Sequence, residues 1–459
     1  MRPASLTEVS RILGAELTAG GGTSLVHGAA TDSRLVREGD LFFALRGRTD
    51  GADFAPEAYL RGAVAAVATR PLEVPTLVVE DVLGALQKLA KWTLRRGDAA
   101  PPRVVGITGT VGKTTTKDAL ATVLRYAGKK VSATVGNFNN EIGLPLTVLA
   151  ADERTEILVL EMGATHAGDI THLCKIAPPE IGILTAISPV HLDSFGSLEA
   201  LAAAKGELAL ALPESGTLVS PVGAPEAATG SGRKLLRRIT FARNWAEGAN
   251  LWASGVEEYE EGLRFTAHLE DRHAEIRSPV FGPHLVEPLL AALGGALALG
   301  LDLKACAQGL SRLRRTGLRG DVYRLRDDIV VYDDSYNASP AAVAAVLRYG
   351  AQQARRQGRR LVAVLGGMFE LGAGARAYHR EVGGLAEEVG VDLLVCVGDE
   401  ARWYAEAFSG KTLFYDYATK AGAELEETLH GGDYVVVKGS RGVKLDTLTR
   451  KLRESLALV

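Results

Sequence analysis

Cysteine is scarce in this chain: Cys174, Cys306 and Cys396 are its three, far apart, odd in number and in no Cys-x-x-Cys or Cys/His ligand spacing. That pattern argues against a disulfide scaffold and against a thiolate zinc site. Proline is also rare, at 17 of 459 residues against 52 glycines, which favours tight turns between regular elements over disordered or collagen-like sequence. Neither sign of charge dominates. The 52 Lys and Arg face 55 Asp and Glu, a formal net charge of −3, so no global positive field exists to hold a nucleic-acid backbone. The longest apolar stretch, 289–301, is shorter than the roughly 20 residues of a spanning helix. Residues 1–14 mix Arg2, Glu8 and Arg11 into their apolar positions and so lack the apolar core of a signal peptide. A cytoplasmic, globular protein with no membrane insertion and no nucleic-acid partner is expected.

What the chain does have is an alternation of short β-rich runs with longer Ala/Leu-rich helical patterns, the mark of α/β architecture with parallel sheets and crossover helices. Three blocks are expected, over residues 1–100, 101–315 and 316–459. The first holds short apolar runs at 41–45, 63–68 and 76–79 and a helix over 82–96, with 97–102 as a linker. The second opens with a strand over 103–107 and a helix over 117–126, and has further strands at 156–161 and 180–187. Strands at 329–332, 361–365, 393–397 and 434–437 are expected in the third.

The sharpest local signal is Gly106-Ile107-Thr108-Gly109-Thr110-Val111-Gly112-Lys113-Thr114-Thr115, between an expected strand and an expected helix. Glycines let backbone N–H groups close around phosphate oxygens, the helix N-terminus adds a positive dipole, Lys113 supplies a point charge and the Thr114 hydroxyl can ligate Mg²⁺. The strict Walker pattern needs its first Gly where Ile107 stands, so this is a variant, with Gly109 inside the loop. An ordinary Gly-rich turn has no need for Gly-Lys-Thr-Thr, and nucleotide binding through Gly109 to Thr115 is expected. In open α/β sheets ligands bind at the carboxyl ends of strands. Glu161 directly follows the apolar run 157–160 and would place its carboxylate there as a Mg²⁺ ligand; His191 stands in the loop after the 180–187 strand.

A loop of this kind with a strand-end Glu and a loop His resembles the ATP-dependent Mur ligases of peptidoglycan synthesis. Lys205, in Ala204-Lys205-Gly206-Glu207, is similar to that family's carbamylated lysine, and the segment Asn137 to Gly143, with Asn137, Asn139 and Asn140, is similar to a muropeptide-contacting stretch. Asp32-Ser33-Arg34, followed by Gly39-Asp40-Leu41-Phe42, resembles the family's uridine-binding domain. In the third block Asp333-Asp334-Ser335-Tyr336-Asn337-Ala338-Ser339-Pro340 and Lys438-Gly439-Ser440-Arg441 are similar to the branch that adds D-alanyl-D-alanine. The Asp-Asn-Pro-Arg motif of the branch that adds the third peptide residue is absent.

The resemblance implies three domains: an N-terminal α/β uridine-nucleotide-binding domain, a central P-loop ATPase domain with a mostly parallel sheet, and a C-terminal Rossmann-like domain. It further implies an amide ligase, acting as a monomer, that joins D-alanyl-D-alanine to UDP-N-acetylmuramoyl-tripeptide through an acyl phosphate, with ATP and two Mg²⁺ ions. The implied catalytic set is Lys113, Glu161, His191, Lys205 and Arg319, with Thr114, Glu161, His191 and carbamylated Lys205 around metal. Arg319 would reach the γ-phosphate, Asp334 the ribose, and Asn337 the nucleotide or nearby substrate. Ser33 and Arg34 would hold the uridine end, and Ser440 and Arg441 the dipeptide. The chain departs from the family at Val111, Leu285 and Pro288, where Asn is usual, and at Gly367, where Asp is common. Two other readings compete: a folylpolyglutamate synthase-like ligase, which lacks a uridine-binding block before its loop, and a non-enzymatic nucleotide switch.

Overall fold

A computed structural model of the chain describes residues 1–18, 22–95, 100–189, 192–230, 237–259, 261–314 and 317–457. Among them three large sheets follow one another along the sequence. The first orders its strands Glu16–Leu17, Thr76–Val78, Ala65–Ala68, Asp40–Phe43 and Gly28–Ala30, parallel except at the Glu16–Leu17 edge. Its inner strands Asp40–Phe43 and Ala65–Ala68 are buried at every position, as strands covered on both faces must be. Leu41, Phe43 and Val67 face the helix Val82–Thr93, while Phe42, Ala66 and Ala68 face the short helix Ala55–Leu60.

The central sheet has nine strands in the order Arg272–Ser278, Gly262–Leu269, Leu251–Tyr259, Arg237–Ala242, Thr217–Pro221, Ile181–Leu184, Arg103–Thr108, Ile157–Glu161 and Val131–Ala133. It is parallel from Val131–Ala133 to Leu251–Tyr259, and the last two pairings are antiparallel. Alternation along Arg103–Thr108 sends Val105 and Ile107 to the face covered by the helices Lys113–Tyr126 and Val286–Ala298. Val104 points the other way, into a core shared with Leu86 and Leu89 of the first block. The first two blocks are therefore joined by apolar packing.

The third sheet runs Asp321–Arg324, Val330–Asp333, Tyr434–Lys438, Leu361–Gly366, Leu393–Val397 and Lys411–Tyr415, parallel except for the first pair. Helices Pro340–Gln357 and Ala375–Glu388 pack on one face and Leu445–Ser455 on the other. This is a doubly wound α/β unit, and the carboxyl ends of two of its strands present Asp334 and Lys438 to one crevice. Among the described residues no helix is long and apolar enough to cross a membrane.

Two expected elements end elsewhere. The helix expected from 117 begins at Lys113, because the phosphate-loop residues themselves form its first turn. The strand expected to run to Ile187 stops at Leu184; beyond it the chain leaves the sheet, and the Ala186 carbonyl accepts from the Thr110 N–H at 2.9 Å.

Candidate functional site

The loop between Thr108 and Lys113 is shaped by positions only glycine fills. Gly109 has φ +139°, and a Cβ there would lie 2.1 Å from Thr185 Oγ1. Thr185 in turn donates to the Val111 carbonyl at 2.6 Å, and the Thr110 hydroxyl lies 2.9 Å from Ser188 Oγ. The loop is thus strapped to the chain that follows the neighbouring strand. Lys113 Nζ folds back to donate to the carbonyls of Gly109, at 2.8 Å, and Thr110, at 3.2 Å. Burial lowers its pKa, the Glu161 carboxylate opposes that shift, and the Arg319 charge adds to it. A ligand rich in negative oxygen atoms at this point would relieve both penalties on the ammonium.

Glu161 ends its strand 3% exposed. Its Oε2 accepts from the Thr114 hydroxyl at 2.8 Å, its Oε1 from Asn139 Nδ2 at 2.8 Å, and its backbone N–H donates to Thr134 Oγ1 at 2.9 Å. A hydroxyl and a carboxylate oxygen brought together at the mouth of a phosphate loop form a hard oxygen donor set that fits Mg²⁺. Among the described residues no group of three or more His, Cys, Asp and Glu forms a metal cluster.

Lys205 is 2% exposed on the helix Leu198–Ala211. Its Nζ donates to the Ala164 carbonyl at 3.1 Å and lies 5.4 Å from the centre of the Phe195 ring. Burial, then the Lys113 charge, pushes its pKa down to about 7, against the pull of Asp169 and Glu207. The neighbouring Glu207 accepts from the N–H groups of Gly168 and Thr171, so the Lys205 helix caps the start of the helix Asp169–Ile176.

The third block closes the other side. The Arg319 guanidinium sits 3.9 Å from the centre of the Tyr336 ring, and Arg441 lies 5.7 Å from it. Lys438, 3% exposed, pairs with the Asp334 carboxylate and donates to the Asn337 carbonyl at 2.8 Å. Ser440 Oγ accepts from the Phe369 N–H at 2.9 Å, and Arg441 pairs with Asp446 at 3.2 Å.

These groups share one cleft of about 1110 Å³ between the blocks. It gathers the loop from Gly109 to Thr115, Asn137, Asn139, Asn140, Glu161, Lys205, Arg319, Asp334, Asn337, Ser440 and Arg441. Ser33 and Arg34 are not in it. The Ser33 hydroxyl donates to Glu57 at 2.8 Å, and Arg34 pairs with Asp32 at 2.6 Å while remaining 77% exposed. His191 lies outside the described residues. Sequence reasoning gave no role to Lys438, Tyr336 or Gln87. The first two stand inside motifs already singled out, and a Lys ending the apolar run 434–437 is the same signal that marked Glu161. Gln87, from the first block, bonds the Glu141 carbonyl at 3.1 Å and His172 at 3.0 Å, which no local pattern announces.

Known proteins carry the same architecture. Family models match residues 25–91 (Mur ligase family, catalytic domain), 107–296 (Mur ligase middle domain) and 318–441 (Mur ligase, glutamate ligase domain). The UDP-N-acetylmuramoyl-tripeptide–D-alanyl-D-alanine ligase of Bacillus subtilis is 33% identical over 449 residues, covering 94% of both chains. The chain belongs to the Mur ligase family. The Escherichia coli ligase of the same name is 32% identical, with 98% of each chain covered. Among solved structures, MurF from Acinetobacter baumannii superposes with a TM-score of 0.86 at 27% identity, covering 98% of this chain and 99% of that one. MurF from Thermotoga maritima in complex with ADP gives 0.79 at 30% identity, covering 94% and 99%. Within this Mur ligase the departures from the family pattern are local. Val111 contributes its carbonyl to the Thr185 strap, and Leu285 and Pro288 line the cleft beside His284 as apolar wall.

Proposed function

We propose that this Mur ligase joins D-alanyl-D-alanine to UDP-N-acetylmuramoyl-tripeptide in the cytoplasm, as a monomer, with ATP as the energy source. The observation that carries the reading is the likeness along nearly the whole chain to ligases of that name, on a cleft that unites a phosphate loop with groups from all three blocks. A carboxylate is a poor electrophile, so its oxygen first attacks the γ-phosphorus of ATP, ADP leaves, and an acyl phosphate remains. The dipeptide amine, its ammonium having lost one proton, attacks the acyl carbon; the C–O bond to phosphate breaks, the nitrogen gives up a second proton, and the amide forms.

The parts proposed for the cleft residues rest on what each one faces, and those of His191, Ser33 and Arg34 on the family resemblance. The loop N–H groups and Lys113 hold the phosphate chain, and Arg319, steadied on Tyr336, faces the charge that spreads over the transferred group. Thr114 and Glu161 would hold Mg²⁺, which when bound neutralises that charge. Lys205, whose burial favours the neutral amine, would add CO₂ with loss of a proton and turn from a cation into an anionic oxygen donor. His191 belongs to the same proposed metal-side set. Asp334 and Asn337 serve the nucleotide, Asn137, Asn139 and Asn140 the muropeptide, Ser33 and Arg34 its uridine end, and Ser440 and Arg441 the dipeptide. Closure of the third block over the central one keeps water from the acyl phosphate.

A nucleotide switch would have no need of a buried Lys205 in the same cleft. The experiment is phosphate release measured with each substrate omitted in turn, using tripeptides ending in lysine or diaminopimelate. Release that requires the muropeptide, D-alanyl-D-alanine and ATP together supports the ligase; equal release with ATP alone defeats it.

A further inference from the structure

The buried Lys117 takes no part in the chemistry described above, yet it is tied to it. Thr114 and Lys117 are three residues apart on the helix Lys113–Tyr126 and therefore share a face. Lys117 is 4% exposed; its Nζ donates to the Thr134 carbonyl at 2.7 Å and pairs with Asp118 at 2.7 Å. Thr134 follows the edge strand Val131–Ala133, whose pairing with Ile157–Glu161 stops at Val159. The N–H of Glu161 consequently has no ladder carbonyl on that side, and Thr134 Oγ1 accepts it at 2.9 Å. Thr134 is 1% exposed, so water does not substitute for this contact.

One helix face thus grips Glu161 at two points. Thr114 holds the end of its side chain directly, and Lys117 holds its main chain through Thr134. Burying an ammonium is costly, and an apolar side chain would fill the same space more cheaply; what the ammonium adds is a directed bond to one carbonyl. We propose that Lys117 is a positioning residue that sets the separation of Thr114 from Glu161, and with it the affinity of the site for a divalent cation. The inference rests on the nucleotide-and-metal part of the proposed function and on nothing about the acceptor.

The test uses the full chain with ADP and Mn²⁺ as probe, the bound ion being counted by electron paramagnetic resonance. Lys117→Met and Thr134→Val should each weaken Mn²⁺ binding by about tenfold, the usual size of a lost outer-shell contact, while Thr134→Ser, which keeps the hydroxyl, should bind as the parent does. Because both substitutions cut one path, the double variant should be little worse than either single one. In phosphate release the same variants should raise the Mg²⁺ requirement and leave the KM for D-alanyl-D-alanine within about twofold. If Lys117→Met fails to fold, the Thr134→Val and Thr134→Ser pair decides. Parental Mn²⁺ affinity in folded Thr134→Val overturns the proposal, and since binding is read without turnover, that result leaves the ligase reading standing.

Discussion

The guanidinium of Arg319 lies over the ring of Tyr336, 3.9 Å from its centre, at the start of the third block. The backbone repeats the link: the Tyr336 N–H donates to the Leu318 carbonyl at 3.1 Å. An arginine proposed to reach the γ-phosphate is thereby held within the third block by two contacts.

Removing the ring should loosen that aim. Tyr336→Leu is expected to lower kcat/KM for ATP by about tenfold, the effect of a cation–π contact worth roughly 1–2 kcal/mol. Tyr336→Phe keeps the ring and should stay within about twofold of the parent. Steady-state kinetics with ATP varied checks both.

Glu161 joins stability to activity. Glu161→Ala strands the buried Thr114 hydroxyl and takes the acceptor from the half-buried Asn139 amide, so the melting temperature should fall and kcat/KM should drop by about a hundredfold or more. Glu161→Gln retains an oxygen for Thr114 but removes the charge, and is expected to melt near the parent while losing comparable activity. Calorimetry and phosphate release on the same samples separate the two effects.

How far the sequence revealed this site depends on how local each signal is. The loop and Glu161 stand at the ends of apolar runs, where a parallel sheet presents its strand ends to ligands, so they are legible from pattern; Asp334 is singled out only by the resemblance, and Lys438, which ends the run 434–437, carries no expected role. Lys205 was not legible in that way, since it lies in the middle of an Ala-rich helix; only the resemblance singled it out. Ser33 and Arg34 were read as site residues, and the structure places them outside the cleft, Arg34 paired with Asp32. The antiparallel strands Leu251–Tyr259, Gly262–Leu269 and Arg272–Ser278 are not among the expected elements; a register shift between Ser254 and Glu257 interrupts the first, while the other two alternate regularly.

Lys205 should leave a pH signature. Its pKa, about 7 when folded against 10.5 ordinarily, means that the unfolded chain binds one more proton than the folded one between those values. Stability therefore rises with pH across that window in CO₂-free buffer, and below it the full cost of the buried charge is present. Thermal melts should record the rise in the parent and its absence in Lys205→Met. At fixed CO₂ pressure, the carbamate signal of ¹³C-labelled protein should grow as pH passes about 7.

Gly206 holds the Lys205 helix close to its neighbour. A Cβ there would meet the Ala227 carbonyl oxygen at 1.9 Å, a backbone atom with little room to yield. Gly206→Ala is expected to cost about 1–3 kcal/mol in denaturant unfolding, whereas Gly384→Ala, with open space at the site, should cost nothing measurable.

The most direct test follows oxygen. With ¹⁸O in the terminal carboxylate of the UDP-muramoyl tripeptide, the acyl-phosphate route transfers one labelled oxygen to phosphate as the amide to D-alanyl-D-alanine forms, and mass spectrometry reads both products. The account predicts singly labelled phosphate in equal amount with UDP-muramoyl pentapeptide. Unlabelled phosphate, or phosphate released without the pentapeptide, would contradict it.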